Sequence, residues 1–260
     1  DIVTEIHNCA RDHRLRVHFP ALFTVEHFFT DGHFDVLSRP AAVPTGGADW
    51  IEEPRTEAPQ RWFSTLSNDS TGLTLANRGL PEIEALQAGR HTELVLTLLR
   101  CVGWLSRDDF STRKGHAGPC LATPGAQEPG RHSFHYALIP HSGGWQSALP
   151  QVRGFECPMR AASLAPQAGS LPGEQSWFTL QGSFQVTCVK TATCGRGIIL
   201  RGWAPAAGRV KLQCSLPLVS VQYCQLDETP LKVVPFTQPG CIELDVRSHE
   251  ILTLLLEPAG

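Results

Sequence analysis

Hydrophobic and polar residues alternate with a period of two along most of this chain. Leu15, Val17 and Phe19 alternate with Arg14, Arg16 and His18, the pattern of a strand with one buried and one wet face. Arg14 and Arg16 then share the polar face, either as a basic pair facing a sugar or partner domain or as a solvated surface with Asp12 as counter-ion. Apolar runs at 62–66 and 72–77 flank a turn at Asn68, Asp69 and Ser70, and Asn77, Arg78 and Gly79 form a tight corner before a further run at 80–85. In the strand predicted at 92–100, Leu96, Leu98 and Arg100 alternate with Thr97 and Leu99; later, Phe134, Tyr136 and Leu138 alternate with His135, Ala137 and Ile139. Beyond residue 176, runs at 177–180, 184–189, 197–203, 209–216, 220–226, 231–234, 241–246 and 251–257 have the length and spacing of a small β-sandwich. No helix is predicted, and the class is all-β, sandwich or barrel.

The interruptions divide the chain. Residues 38–60 are rich in Pro and Gly and read as a surface loop, flanked by Trp50 and Trp62. An exposed indole offers a flat face to the apolar side of a pyranose, but a tryptophan can equally pin a loop to the core. Residues 106–131 form a long polar loop between two strands, a length that in a compact domain usually signals function or disorder. It holds Arg107, Asp108, Asp109, Arg113, Lys114, His116 and Gln127, spaced by glycines and prolines. A second Pro, Gly and Ala-rich stretch reads as a connector over 151–175, separating a main β region over 1–150 from a C-terminal sandwich over 176–260.

Composition narrows the class. With 260 residues the chain can bury a sizeable core. Its formal charge of −3, with lysines and arginines scattered, argues against nucleic acid as a partner. No apolar stretch has the length of a membrane span. Nine cysteines without a CxxC pair or a regular framework point to reduced thiols and a cytoplasmic setting. The chain opens at Asp1 in strand-like text, without an initiator methionine or a signal segment, and reads as part of something longer; a homo-oligomer stays open.

The residues alone predict no catalytic group. Retaining glycoside hydrolysis needs two carboxylates about 5 to 5.5 Å apart, and Asp108 and Asp109, being adjacent, point to opposite sides of an extended chain. His132 and His135 lack a third ligand that would complete a tetrahedral metal set, so no metal site is predicted. Ser133 and Ser142 lie near those histidines, but no GxSxG elbow accompanies them. No Gly-rich phosphate cradle opens a helix.

Several runs carry a resemblance: NCARDHRLRVHFP (8–20), FDVLSRP (34–40), GLTLANRGLPEIEA (72–85), LTLLRCVGWLSRDDFSTRKGHAGP (96–119), TPGAQ (123–127), FHYALIPH (134–141) and HEILTLLLE (249–257). In this order they resemble the C-terminal half of family 38 glycoside hydrolases, the α-mannosidases, most closely the bacterial branch. The resemblance implies a large β-sandwich of the supersandwich, galactose-mutarotase-like kind followed by a small C-terminal β-sandwich. It also implies that zinc and the aspartate nucleophile belong to a catalytic domain upstream, that this region binds no cofactor and hydrolyses nothing alone, and that α-mannoside or another carbohydrate and the N-terminal catalytic domain are its partners. One polar loop would carry an arginine to the sugar pocket. Arg113 is the closest match, with Arg107, Asp108, Asp109 and Gln127 as further pocket-lining residues; Lys114 departs from the small or neutral residue expected. The alternative for Arg113 is a surface ion pair with Asp109. Two other readings compete: a stand-alone carbohydrate-binding module using Trp50, Trp62 or Trp145, and a structural domain with an apolar docking face.

Overall fold

The structure is a computed structural model that describes every residue except Asp69, Gln167, Ser170, Leu171, residues 237–239 and Gly260. Two compact units, Asp1–Ala161 and Ala162–Gly260, are each built from two antiparallel sheets. The all-β class and the sandwich architecture follow directly from these sheets.

In the first unit, six strands run in the order β1 (Ile2–Asn8), β10 (Gly130–His141), β7 (Gly72–Asn77), β6 (Phe63–Ser67), β3 (His27–Asp31) and β4 (Val36–Pro40). Four more form a second sheet, in the order β2 (Arg14–Pro20), β9 (His91–Arg100), β8 (Glu82–Ala88) and β5 (Ala58–Pro59). The two-residue period decides which side chains enter the core: Phe28, Leu66, Leu75 and Tyr136 from the larger sheet cluster with Val17, Ile83, Leu94 and Leu96 from the smaller. The Phe19 and Tyr136 rings meet edge-on at 5.8 Å. Leu66, Leu75, Ile83, Leu94 and Leu96 are all 0% exposed, and burial of each is worth about 1.5–3 kcal/mol.

The turns follow their sequence signals. Asn68 Oδ1 accepts the amides of Ser70 (2.9 Å) and Thr71 (2.8 Å), which bends the chain from β6 into β7; Asp69, within this turn, lies outside the described residues. At the next corner Asn77 Oδ1 accepts the Leu80 amide at 2.8 Å and Gly79 takes a φ of +79°.

Each sheet of this unit has a covered outer face. On the smaller sheet, Arg14 bonds Glu57 at 2.6 Å and Glu82 at 2.5 Å, while Arg16 and Thr56 both bond Glu84. The counter-ions of the arginine pair are therefore three glutamates, and Asp12 is engaged elsewhere. Burial alone would raise the Glu57 carboxyl, but the hydrogen bond and charge of Arg14 outweigh it and hold it below the usual range.

On the larger sheet the cover is helical, which corrects the expectation of no helix and takes up the first residues of the 151–175 stretch. A 3-10 turn over Trp145–Ala148 runs into α1 (Leu149–Glu156); the turn packs on the outer side of β6, β7 and β10, and the helix on β7 and β10. Trp145, Ala148, Leu149 and Val152 are buried and spaced i, i+3, i+4 and i+7, a helical stripe. Pro150 falls in the first turn, where its missing N–H costs nothing. The remainder of the predicted connector has no regular structure among its described residues, and Gln167, Ser170 and Leu171 fall outside them.

The second unit pairs β11 (Phe178–Gln181), β14 (Gly208–Cys214) and β17 (Cys241–Val246) in one sheet. The other sheet runs β12 (Gln185–Thr191), β13 (Ile198–Trp203), β18 (Ile251–Pro258), β15 (Leu218–Cys224) and β16 (Pro230–Val233). Their inner faces bury Leu200, Val210, Leu212, Val221, Ile242, Leu254 and Leu256. Gly202 is needed where β13 passes β12, since a Cβ there would lie 2.3 Å from the Gln185 carbonyl and 2.5 Å from the Phe184 ring. Among the described residues no helix is long and apolar enough to cross a membrane.

Candidate functional site

The loop after β9 is anchored at its base, folded as a ribbon in its middle and joined at its tip to a second loop. At the base, buried Asn8 ends β1 and donates to the carbonyls of Gln127 (3.0 Å) and Glu128 (2.9 Å). The Gln127 amide is matched on both sides: its Oε1 accepts the Asp12 amide at 2.8 Å and its Nε2 donates to Asp12 Oδ1 at 2.8 Å. Asp12 holds a left-handed φ of 52° in this clamp. Gln127 is 7% exposed and fixes the foot of the loop.

In the middle, the Leu105 amide donates to the Leu121 carbonyl and the Thr123 amide to Gly103, both at 2.9 Å. Buried Ser106 turns the ribbon back by accepting the amides of Ala117 (2.9 Å) and Gly118 (3.2 Å) through its hydroxyl. The tip is thereby held although it carries no core side chain.

The charged residues of the tip pair off in an order that spacing does not reveal. Arg107 holds Asp109 through Nε at 2.7 Å and through Nη2, a two-point grip that keeps the carboxyl below its ordinary range. Asp108 lies 3.6 Å from His116. Arg113 pairs with Glu52 of the 38–60 loop and not with Asp109, and reaches the His116 carbonyl at 3.4 Å. Backbone bonds accompany this pair: the Lys114 amide donates to Ile51 (3.0 Å) and the Glu53 amide to Thr112 (3.3 Å). The two longest loops of the first unit thus form one surface.

Between them lies a cleft of about 440 Å³, with Trp50 and Phe110 on its walls beside Glu52, Glu53, Arg113 and Lys114. Its acids and bases balance in number, and two of the four are already paired with each other. Such a surface suits hydrogen bonding to a polar ligand.

The three tryptophans proposed for stacking differ. Trp145 is buried and packs on Phe63 with 6.4 Å between ring centroids. Trp62 is half-buried with the Arg61 guanidinium 5.5 Å from its ring. Trp50 alone of these is open, at 55% exposure.

Two features have no foreshadowing in the sequence reading. Asp31, buried under the helical cover, is pushed up to about 6 by burial, with Glu156 adding to the rise, while its carboxylate accepts the Trp62 amide at 3.1 Å. Burial also raises Glu156, which bonds Arg153 at 2.6 Å. Long-range contacts made by residues 31, 62 and 156 create this cluster, and no local pattern announces it. The other is the seating of His141 over Gly72, where a Cβ would come within 2.0 Å of the imidazole; the ring bonds Thr74 at 3.0 Å and burial lowers its pKa.

Among the described residues no three His, Cys, Asp or Glu side chains come together as metal ligands, so these residues do not fit a zinc ion. His132 instead contacts the Glu128 carbonyl at 2.8 Å and stacks on Phe134, and His135 lies 3.4 Å from the Ser133 hydroxyl.

Comparison with known proteins agrees with this architecture. Residues 183–254 match the glycosyl hydrolases family 38 C-terminal beta sandwich domain, which falls in the second unit. A protein of Halalkalibacterium halodurans named as a mannosylglycerate hydrolase is 28% identical over 97% of this chain and 26% of its own length. Alpha-mannosidase 2C1 of Homo sapiens is 27% identical over 97% of this chain and 22% of its own length. The crystal structure of an alpha-mannosidase from Enterococcus faecalis superposes with a TM-score of 0.76 at 28% identity, over 98% of this chain and 27% of that one. The chain spans about a quarter of the length of these relatives. The family 38 match is thus confined to the second unit, while the likeness to these relatives and to the solved structure extends across both units.

Proposed function

We propose that this chain completes an α-mannoside-hydrolysing enzyme, providing a β scaffold and a loop, 106–131, that walls the sugar pocket of a zinc-dependent retaining catalytic domain upstream. The observation that carries this reading is the union of the two longest loops through Arg113 and Glu52. It produces a fixed polar surface where separate loops would wander. Arg107, Asp108, Asp109 and Arg113 stand on that surface, and Gln127 supports it from below. The names of the relatives, all hydrolases of mannosides, support the substrate class.

In this reading the chain's own groups orient a sugar and exclude water; zinc would be held by the upstream domain, where it would supply a Lewis acid. The free state of all nine cysteines suits a cytoplasmic location.

The test is hydrolysis of an aryl α-mannoside by this chain alone and by the chain extended through its upstream coding sequence, with and without zinc. Activity confined to the extended, zinc-loaded protein and reduced by Arg113→Ala supports the proposal. Activity in the chain alone, or in neither, overturns it.

A further inference from the structure

We infer that the cleft between residues 43–54 and 110–114 is a binding subsite for a neutral pyranoside, seated on the face of Trp50. The inference rests on the glycoside reading above and adds a place of contact to it.

The first argument is the seating of the indole. A Cβ on Gly47 would fall 2.7 Å from Trp50 Nε1 and 2.8 Å from Cδ1, and one on Gly46 would fall 3.7 Å from Cε3. The ring therefore lies against backbone that only glycine leaves bare. The Trp50 amide donates to the Gly47 carbonyl at 3.1 Å and closes the turn that places it. Yet the residue keeps 55% of its surface open, and Phe110 across the cleft keeps 47%. An aromatic side chain pinned on one side and open on the other loses little further freedom when a ligand arrives.

The second argument is charge. Glu52 and Arg113 satisfy each other, whereas the side chains of Glu53 and Lys114 make no hydrogen bond or ion pair among the described residues. The cleft thus offers one acceptor-only group and one donor-only group with no net charge. An anion would meet Glu53 and a cation Lys114. A neutral polyol, whose hydroxyls both donate and accept, fits both, and the C–H face of a pyranose fits the indole. The volume, about 440 Å³, lies within the range of small-molecule sites.

Saturation-transfer NMR on this chain with methyl α-mannopyranoside tests the inference, with sodium sulfate as an anionic competitor. Transfer to the sugar ring protons is expected, with a Kd on the order of 1–10 mM, as befits one stacked ring. Trp50→Ala should weaken binding about tenfold. Gly47→Ala, which keeps the indole but displaces it, should weaken binding about threefold. Trp177→Ala, in the second unit, should leave binding unchanged, and sulfate should not compete. Absence of transfer to the unaltered chain, equal transfer to Trp50→Ala, or displacement by sulfate overturns the inference. Hydrolysis by the extended protein without binding by this chain would sink the subsite alone; binding without hydrolysis would sink the catalytic reading alone.

Discussion

The guanidinium of Arg113 and the carboxylate of Glu52, 61 residues apart in sequence, close the gap between the two longest loops of the first unit. Neither lies on a strand of the sandwich. Their pairing, with the two backbone hydrogen bonds beside it, makes one surface from two connections that would each be loose alone.

Removing this pair should loosen the surface without unfolding the sandwich. The Arg113 side chain is 24% exposed and Glu52 59%, so solvent screens most of their attraction and Arg113→Ala is expected to cost less than about 1 kcal/mol of global stability. The amides of Glu53 and Lys114 should exchange with solvent faster in the variant. Unchanged hydrogen-exchange rates there would show that the backbone bridge holds without the ion pair.

A contrasting outcome is expected on the smaller sheet. The Glu84 side chain is 9% exposed and keeps Arg16 and Thr56 as partners. Arg16→Met leaves a buried carboxylate short of its counter-charge and should destabilise by about 2–4 kcal/mol in urea unfolding. Arg107→Ala, which removes a solvent-exposed pair, should leave the unfolding midpoint where it is. Equal effects of the two substitutions would mean that burial of Glu84 does not set its dependence on Arg16.

Asp31 should impose a pH dependence on the first unit. Its folded pKa is about 6 against an ordinary 3.8, so the folded state holds this proton more tightly than the unfolded chain does. The resulting stabilisation is complete below the unfolded value and is lost as the pH rises through about 6. Glu156 is raised in the same sense, whereas Glu57 and Glu93 are lowered and act in the opposite one. Comparison with Asp31→Asn, which keeps an acceptor for the Trp62 amide, isolates the contribution. Between about pH 5 and pH 7.5 the unaltered chain should lose roughly 1 kcal/mol relative to this variant in chemical denaturation. Parallel stability profiles would refute the assignment.

The crowding of His141 over Gly72 should appear as energetic coupling. Gly72→Ala sets a methyl group inside the volume of the imidazole and should destabilise by about 1–3 kcal/mol. His141→Ala removes the obstacle, so the double variant should be more stable than the sum of the single effects predicts. Additive effects in a double-mutant cycle would show that the ring already moves aside at little cost.

The sequence showed most of the sandwich because its strands are wet on one face or apolar throughout, and either pattern survives without knowledge of the partner strand. Leu15, Val17 and Phe19 turn inward as their alternation requires, and the eight runs after residue 176 correspond to β11 through β18 within a few residues. The helix was missed although Trp145, Ala148, Leu149 and Val152 carry its stripe, because Pro150 and Gly154 within it read as loop residues and the stripe is only two turns long. Resemblance points to Arg113 but not to its partner. Asp109 is four residues away and Glu52 is on another loop, and nothing local says which carboxylate a long side chain will reach. Trp50 and Trp145 look alike in sequence, and only the packing beneath Trp145 distinguishes a pin from a platform.

The reciprocal amide pairing of Gln127 with Asp12 has an evolutionary corollary. Because the foot of the 106–131 loop is tied to the end of β1 and to Asp12, and its two arms are bonded to each other above it, the segment between Arg107 and Pro119 can be lengthened or recoded without disturbing strand register. The entropic cost of a longer closed loop grows only with the logarithm of its length. Descendants of this fold are therefore free to change the chemistry of the tip, by insertion as readily as by substitution, while the body beneath keeps its sequence.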